Sequence, residues 1–130
     1  MIVFQSETKF KLPQKKLHLL WLKKIVANEN KILGDINYIF CDDDYLLKIN
    51  IEYLNHDTYT DVITFDYTEK NKISGDIFIS IQRIEENANT FNVLFEEELL
   101  RVMSHGIFHL CGYNDKTSNE EKIMREKEDI

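Results

Sequence analysis

The sequence predicts a single α+β domain with a mixed sheet and about five helices. Its 130 residues are 43% apolar, 12% aromatic and 30% charged, which is typical of one globular domain. Apolar spacing along the chain changes repeatedly between the strand period and the helix period. Two strand-like segments in the middle follow each other closely enough to form a hairpin. The sequence contains neither an internal repeat nor a linker that would divide the chain.

The first half of the chain alternates predicted strands and helices. We expect a strand at 2–7, a helix from about Pro13 to Asn28, a strand at 36–41 and a helix from 42 to about 54. The first helix shows one apolar face, which consists of Leu17, Leu20, Trp21 and Ile25. Gly34 and Asp35 predict the turn before the second strand. The three aspartates 42–44 suit the start of the next helix, although an acidic triplet can also bind a divalent cation.

The second half begins with the predicted hairpin and ends with helices. The hairpin pairs strands at 62–67 and 73–80 across a polar turn, and helices are expected at about 82–89 and 94–111. Gly112 suits the end of the longer helix because glycine readily adopts the left-handed conformation found there. Ser118 and Glu121 have the spacing of a capping box that opens a final helix.

Charge and cysteine content narrow the classes of function. A formal net charge of −7 argues mildly against a nucleic-acid partner. However, residues 8–28 contain lysines and no acid. These lysines are compatible with two interpretations, a solvated rim of the helix or an edge that faces phosphate groups. No apolar stretch approaches the ~18 residues of a membrane span, and the N-terminus lacks the pattern of a secretory signal. Cys41 and Cys111, two isolated cysteines, are expected to be reduced thiols of a cytoplasmic protein.

One stretch near the C-terminus contains a candidate metal site. His105 and His109 are four residues apart, so on a helix both imidazoles project from the same face. A chain reversal at Gly112 can return Asp115 towards them as a third ligand, although Asp115 could instead cap the last helix. Two histidines and one carboxylate leave a fourth position for water, which is typical of catalytic rather than structural zinc.

The same spacing partly matches a zinc-protease pattern, H-E-x-x-H-x-x-G-x-x-H. Both histidines and the glycine agree, but the protease glutamate that activates water is Gly106 here. Glycine cannot accept a proton, so a metallopeptidase is disfavoured.

Three motifs in order resemble the YbeY family of bacterial metal-dependent endoribonucleases. Residues 105–113, HGIFHLCGY, are similar to its H-G-x-x-H-L-x-G-Y signature. Residues 60–65, TDVITF, resemble its T-D-V-L-S-F strand, and residues 75–77 match its G-D-I segment. The resemblance extends over the whole chain.

The resemblance implies a four-stranded mixed sheet and one Zn²⁺ per chain on the long helix. It also implies cleavage of single-stranded RNA, maturation of the 16S rRNA 3′ end and quality control of ribosomes. The implied partners are rRNA, the small ribosomal subunit and its assembly factors, without a membrane. The main alternative is a ribosome-assembly factor that binds RNA around a structural metal and cleaves little.

Three positions depart from the family pattern. Asp115 stands where the family usually has a third histidine, and its harder oxygen shifts metal preference towards Mn²⁺ or Ni²⁺. Leu54 replaces an arginine thought to face the RNA, and Tyr59 replaces a proline. Two residues, His56 and Arg101, are the candidates to contact RNA in place of that arginine. Lys48 is a less favoured candidate.

Two aspartates complete the set of candidate site residues. Asp61 and Asp76 fall beside strands that the family places near the metal. Either could orient a ligand histidine through a hydrogen bond, and for Asp61 a turn-capping role is equally open. No protein group besides the metal site is assigned to catalysis.

Overall fold

The computed structural model describes residues 1–113 and 117–128. The described residues form four strands and five helices: β1 (Ile2–Ser6), α1 (Lys15–Asn28), β2 (Ile32–Cys41), α2 (Asp43–Leu54), β3 (Val62–Asp66), β4 (Lys72–Ser80), α3 (Ile81–Phe91), α4 (Phe95–Leu110) and α5 (Ser118–Glu128). No helix among these residues is long and apolar enough to cross a membrane.

The four strands form one mixed sheet in the order β1-β2-β4-β3. β1, β2 and β4 are parallel to one another, and β3 is antiparallel to β4. This confirms the predicted α+β class and the hairpin at the third and fourth strands.

Side-chain alternation along β4 gives the sheet two different faces. Ile77 and Ile79 are fully buried in the main core with residues of α1, α3 and α4. Phe78 points the other way and packs with Ile63 in a smaller cluster that includes Leu46 of α2. α4 and α2 therefore lie on opposite faces of the sheet.

Two glycines allow α4 to lie close to β4. A Cβ atom on Gly106 would be 2.8 Å from Cδ1 of Ile77, and one on Gly75 would be 2.8 Å from Cδ2 of Leu110. Gly106 therefore faces the sheet, so a larger side chain there would meet the core. The close contact fixes the helix that carries both histidines against a central strand of the sheet.

The predicted turn at Gly34 and Asp35 is wrong, because β2 begins earlier and runs through both residues. The pairing with β4 shifts register between Leu33 and Ile36. A Cβ atom on Gly34 would lie 2.6 Å from the carbonyl oxygen of Ile73. Glycine is thus required for close strand approach at an irregularity, and not for a turn.

The predicted apolar face of α1 is also wrong for three of its four residues. Leu17 and Leu20 are 60% and 68% exposed and Trp21 is 39% exposed, whereas Leu22 and Val26 are buried. α1 is apolar on most of its circumference, so periodicity alone could not select the side that meets α4.

Two helix starts differ from the predictions: α1 begins at Lys15, so Pro13 lies before the helix, and the cap of α5 is shifted by one residue. Asp42 accepts a hydrogen bond from the Tyr45 amide at 2.8 Å, which supports the capping reading of the acidic triplet. The capping box of α5 is formed by Thr117 and Glu120, which exchange two hydrogen bonds of 3.1 Å. The predicted pair, Ser118 and Glu121, is one residue too late because the helix itself begins at Ser118.

Candidate metal centre

His105 and His109 lie side by side on the last two turns of α4. Their ring centroids are 4.6 Å apart and the rings are nearly perpendicular. Both side chains are half-buried and line the same cleft. The helix spacing therefore brings the two imidazoles together, as the sequence predicts.

The chain turns sharply after the second histidine. Cys111 ends α4, and Gly112 follows with φ of +104°, a left-handed conformation that side chains with a Cβ atom resist. The Gly112 amide donates to the His109 carbonyl at 3.0 Å. Asp115, the predicted third ligand, lies outside the described residues.

The donor atoms of the two histidines fit a divalent transition metal such as Zn²⁺, for which imidazole is a common ligand. Among residues 1–113 and 117–128, no group of three His, Cys, Asp or Glu side chains is arranged to hold a metal ion. A third protein ligand would therefore have to come from outside those residues. The position of Asp115, in the segment directly after the turn, is compatible with that requirement.

A carboxylate from the C-terminal helix contacts the first of these histidines. Oε2 of Glu128 lies 2.5 Å from Nδ1 of His105, and Oε1 accepts a hydrogen bond from Nη1 of Arg101 at 3.1 Å. Arg101 also donates to both oxygens of Glu98, at 2.9 and 2.7 Å. Burial raises the pKa of the Glu128 carboxyl, but contacts with His105 and Arg101 outweigh it and lower that pKa below its ordinary value.

The other side of the histidine pair opens into a cleft of about 650 Å³. Asp61 lines this cleft, and its side chain accepts a hydrogen bond from Asn87 at 3.4 Å. Burial raises the pKa of the Asp61 carboxyl, and the charges of Arg101 and His105 offset only part of that effect. Asp61 therefore shares this cleft with both predicted histidine ligands, and its role there stays a prediction.

The loop before β3 forms the rim of the cleft. His56 and Tyr59 of this loop line the cleft together with Leu54, the last residue of α2, and Tyr59 is 55% exposed. The guanidinium of Arg83 lies 5.6 Å from the centre of the Tyr59 ring. Arg83 is itself held by Asp43 at 3.0 Å, so the aromatic ring has a fixed cationic support.

Two other predicted site residues have different surroundings. Arg101 lines the cleft, but all of its nitrogen atoms donate to Glu98 or Glu128. Asp76 is not among the described residues that line the cleft; its carboxylate accepts a hydrogen bond from Asn37 at 3.0 Å. Strand alternation explains this, because the neighbouring Ile77 faces α4 and Asp76 therefore points to the opposite face.

The sequence patterns did not indicate three features of the site: Glu98, Glu128 and the Tyr59–Arg83 pair. Glu128 is 23 residues from His105 in sequence, and it belongs to a charged helix in which several acids look alike. Only the packing of α5 on α4, with Met124 buried, selects one of them. Helical spacing could have suggested the Glu98–Arg101 pair, which is an i, i+3 contact.

Comparisons with known proteins agree with the motifs. A family model described as Endoribonuclease YbeY matches residues 3–130. The Endoribonuclease YbeY proteins of Flavobacterium johnsoniae and Christiangramia forsetii are 58% and 55% identical to this chain; the matches cover 99% and 98% of it and 93% and 90% of those proteins. The solution structure of TM1509 from Thermotoga maritima is similar with a TM-score of 0.65 at 34% identity, over 99% of this chain and 85% of that one. The chain therefore belongs to the YbeY family of endoribonucleases.

Proposed function

We propose that this chain is a metal-dependent endoribonuclease of the cytoplasm that cleaves single-stranded RNA, matures the 16S rRNA 3′ end and contributes to ribosome quality control. The observation that carries the proposal is the pair of imidazoles 4.6 Å apart at the wall of an open cleft. Membership of the family supports the same activity. Its partners would be rRNA and the small ribosomal subunit with its assembly factors.

His105, His109 and Asp115 would hold one Zn²⁺, with Mn²⁺ or Ni²⁺ as alternatives. When bound, the ion would supply a Lewis acid for the phosphate and would lower the pKa of water. The carboxylate of Asp115 would add a hard anionic ligand, which favours Mn²⁺ more than a third histidine would.

Asp61 is the group of this chain best placed to move a proton in the cleft. It lines the same cleft as both histidines, and burial keeps its pKa raised. A raised pKa makes the carboxylate a stronger base at neutral pH. Gly106 cannot take that role because glycine has no side chain to accept a proton, which also disfavours a metallopeptidase.

The rim of the cleft would bind the RNA strand. His56 lines it and could contact a phosphate, while the exposed Tyr59 ring could stack on a base. The guanidinium of Arg101 is already paired with Glu98 and Glu128, so it does not serve as the main phosphate contact. We therefore assign it to the support of the site, and His56 to the RNA.

The proposal is tested by cleavage of a single-stranded 16S 3′-end fragment by the purified protein. Wild type would be compared with His109→Ala and Asp115→Ala, and with Glu126→Gln as a control because Glu126 is exposed on α5. We expect cleavage by wild type and the control only, lost on chelation and restored by Zn²⁺ or Mn²⁺. Equal cleavage by all four proteins would overturn the proposal.

The chemistry of the products separates two routes of cleavage. A 2′,3′-cyclic phosphate would indicate attack by the ribose 2′-hydroxyl, whereas a 5′-phosphate would indicate direct attack by water. Both routes need a proton acceptor, so both predict a loss of rate in Asp61→Asn.

A ribosome-assembly factor that binds RNA without cutting is the second candidate. It is favoured by Leu54, which lines the cleft where the family pattern has an arginine, and by the engagement of Arg101 with two carboxylates. Association with the small subunit by His109→Ala at wild-type strength, without RNA cleavage by either protein, would support this candidate.

A further inference from the structure

The end of α5 contacts the candidate metal centre through the buried side chain of Glu128. The Glu128 side chain is 1% exposed, and its two oxygens contact different partners. One oxygen lies 2.5 Å from Nδ1 of His105 and the other 3.1 Å from Nη1 of Arg101. A carboxylate buried to this degree is stable only with such partners.

The contact at Nδ1 determines which nitrogen of His105 can bind a metal. A carboxylate accepts hydrogen bonds, so it favours the form of the imidazole in which Nδ1 carries the proton. In a neutral ring the lone pair is then on Nε2, the atom that would bind the ion. A hydrogen bond of this kind also fixes the ring angle and makes the ligand more basic.

Arg101 holds the carboxylate in place from the opposite side. Its other donors bind Glu98, whose side chain is 2% exposed and belongs to the same helix. The guanidinium is planar, so these bonds leave it little freedom to turn. Glu128 is therefore oriented before any metal arrives.

A second set of contacts attaches α5 to the turn that precedes Asp115. Lys127 lies 3.3 Å from Glu29 and its ammonium is 5.4 Å from the centre of the Tyr113 ring. The Tyr113 hydroxyl donates to the same Glu29 at 3.0 Å. Residues on both sides of the segment 114–116 are thus anchored to the end of α1.

We propose that Glu128 is a positioning residue that orients His105 for metal binding, and that α5 is therefore part of the metal centre. The proposal rests on the metal site of the proposed function and extends it to a helix on which the motifs place no site residue.

The test measures metal binding directly, with Zn²⁺ and Co²⁺ as probes and no RNA present. Zn²⁺ affinity of Glu128→Gln and Glu128→Ala would be measured by competition with a chromophoric chelator, beside wild type and Glu126→Gln. We expect roughly 10- to 100-fold weaker binding in both Glu128 variants and unchanged binding in the control. The visible spectrum of the Co²⁺ forms should change in the Glu128 variants, because ring orientation alters the ligand field.

The Co²⁺ spectrum at saturation separates positioning from a purely structural role, because loss of the Glu128 contacts lowers the melting temperature of the metal-free protein in either case. A spectrum of saturated Glu128→Gln like that of wild type would overturn the proposal. Equal Zn²⁺ affinity in wild type, Glu128→Gln and Glu128→Ala would also overturn it. In that case one ion bound by wild type would leave the proposed function intact, whereas no binding by wild type would refute the metal site as well.

Discussion

The carboxylates on the two sides of the histidine pair have pKa values that are shifted in opposite directions. On the cleft side, Asp61 accepts a long hydrogen bond from Asn87, and burial raises its pKa. On the α5 side, the carboxylate of Glu128 contacts both His105 and Arg101, and its pKa is lowered despite burial. Both carboxylates interact with His105, so the difference comes from their other partners.

This difference separates two tasks. A carboxylate with strong cationic partners stays ionised and holds a ligand in place, whereas a weakly paired one retains the affinity for a proton that catalysis needs. Glu128 fits the first task and Asp61 the second. The same division of roles between two carboxylates is common in hydrolytic sites, where environment rather than residue type decides the role.

Removal of His109 should have the largest effect on metal binding and cleavage, because the proposed roles of Glu128 and Asp61 both depend on a metal held by the two histidines. We expect His109→Ala to lower metal affinity and RNA cleavage by more than about 100-fold, beyond the range for residues that support a ligand. Metal content and cleavage rate would be measured on the same preparation. A variant that retains one tightly bound ion would contradict the ligand assignment.

Asp61→Asn should act on the chemistry and spare the metal. Loss of a proton acceptor lowers the rate by about 10²- to 10⁴-fold, and we expect Zn²⁺ affinity close to that of wild type. Single-turnover cleavage with saturating RNA measures the rate, and chelator competition measures the affinity. If Zn²⁺ affinity falls as far as the rate does, Asp61 supports metal binding, and the proposed difference in role between Asp61 and Glu128 is wrong.

The fold that supports both sides depends on close packing at Gly106. A methyl group there would press on the buried Ile77 side chain, and the gain in helix propensity only partly offsets that strain. We expect Gly106→Ala to reduce the free energy of unfolding by about 1–2 kcal/mol, measured by urea denaturation. The exposed Glu97→Ala on the same helix is the control, and equal stability of the two variants would show that α4 can move away from the sheet.

The smallest expected effects are opposite changes in stability with pH, measured on metal-free protein. The lowered pKa of Glu128 contributes stability above its ordinary value of 4.5 that is lost as the pH falls through the folded-state pKa. The raised pKa of Asp61 does the reverse, so its ionised form costs stability as the pH rises above the ordinary value of 3.8 and through the folded-state pKa.

At pH 7, Glu128→Gln should therefore be less stable than wild type and Asp61→Asn more stable, each by something on the order of 1 kcal/mol. Both differences should shrink towards pH 4. Urea denaturation at several pH values measures them, and differences of the same sign would show that the two carboxylates do not differ in the way described.

Local sequence patterns predicted most of the fold. The hairpin, the order of elements and the end of α4 at Gly112 follow from spacing and turn chemistry, which act over a few residues. The errors at α1 and at Gly34 arise from tertiary packing: α1 offers several apolar faces, and Gly34 is required by the approach of β4.

Local spacing predicted the candidate site only at the histidine pair, whereas Asp61, His56 and Arg101 were indicated by the resemblance of the motifs to the family. His105 and His109 are one helical turn apart, and their spacing alone places them together. The packing of α5 on α4 brings Glu128 to His105. The hairpin brings Asp61, directly before β3, to the cleft. No local pattern encodes either placement. The role of Asp115 stays a prediction, since it lies outside the described residues.

The most direct test of the separation of tasks is the Zn²⁺ dependence of RNA cleavage in Glu128→Gln and Asp61→Asn. We predict that Glu128→Gln needs more Zn²⁺ than wild type but regains most of its cleavage rate once saturated. Asp61→Asn should saturate at the wild-type Zn²⁺ concentration and remain slow. The same Zn²⁺ dependence in both variants would contradict the account.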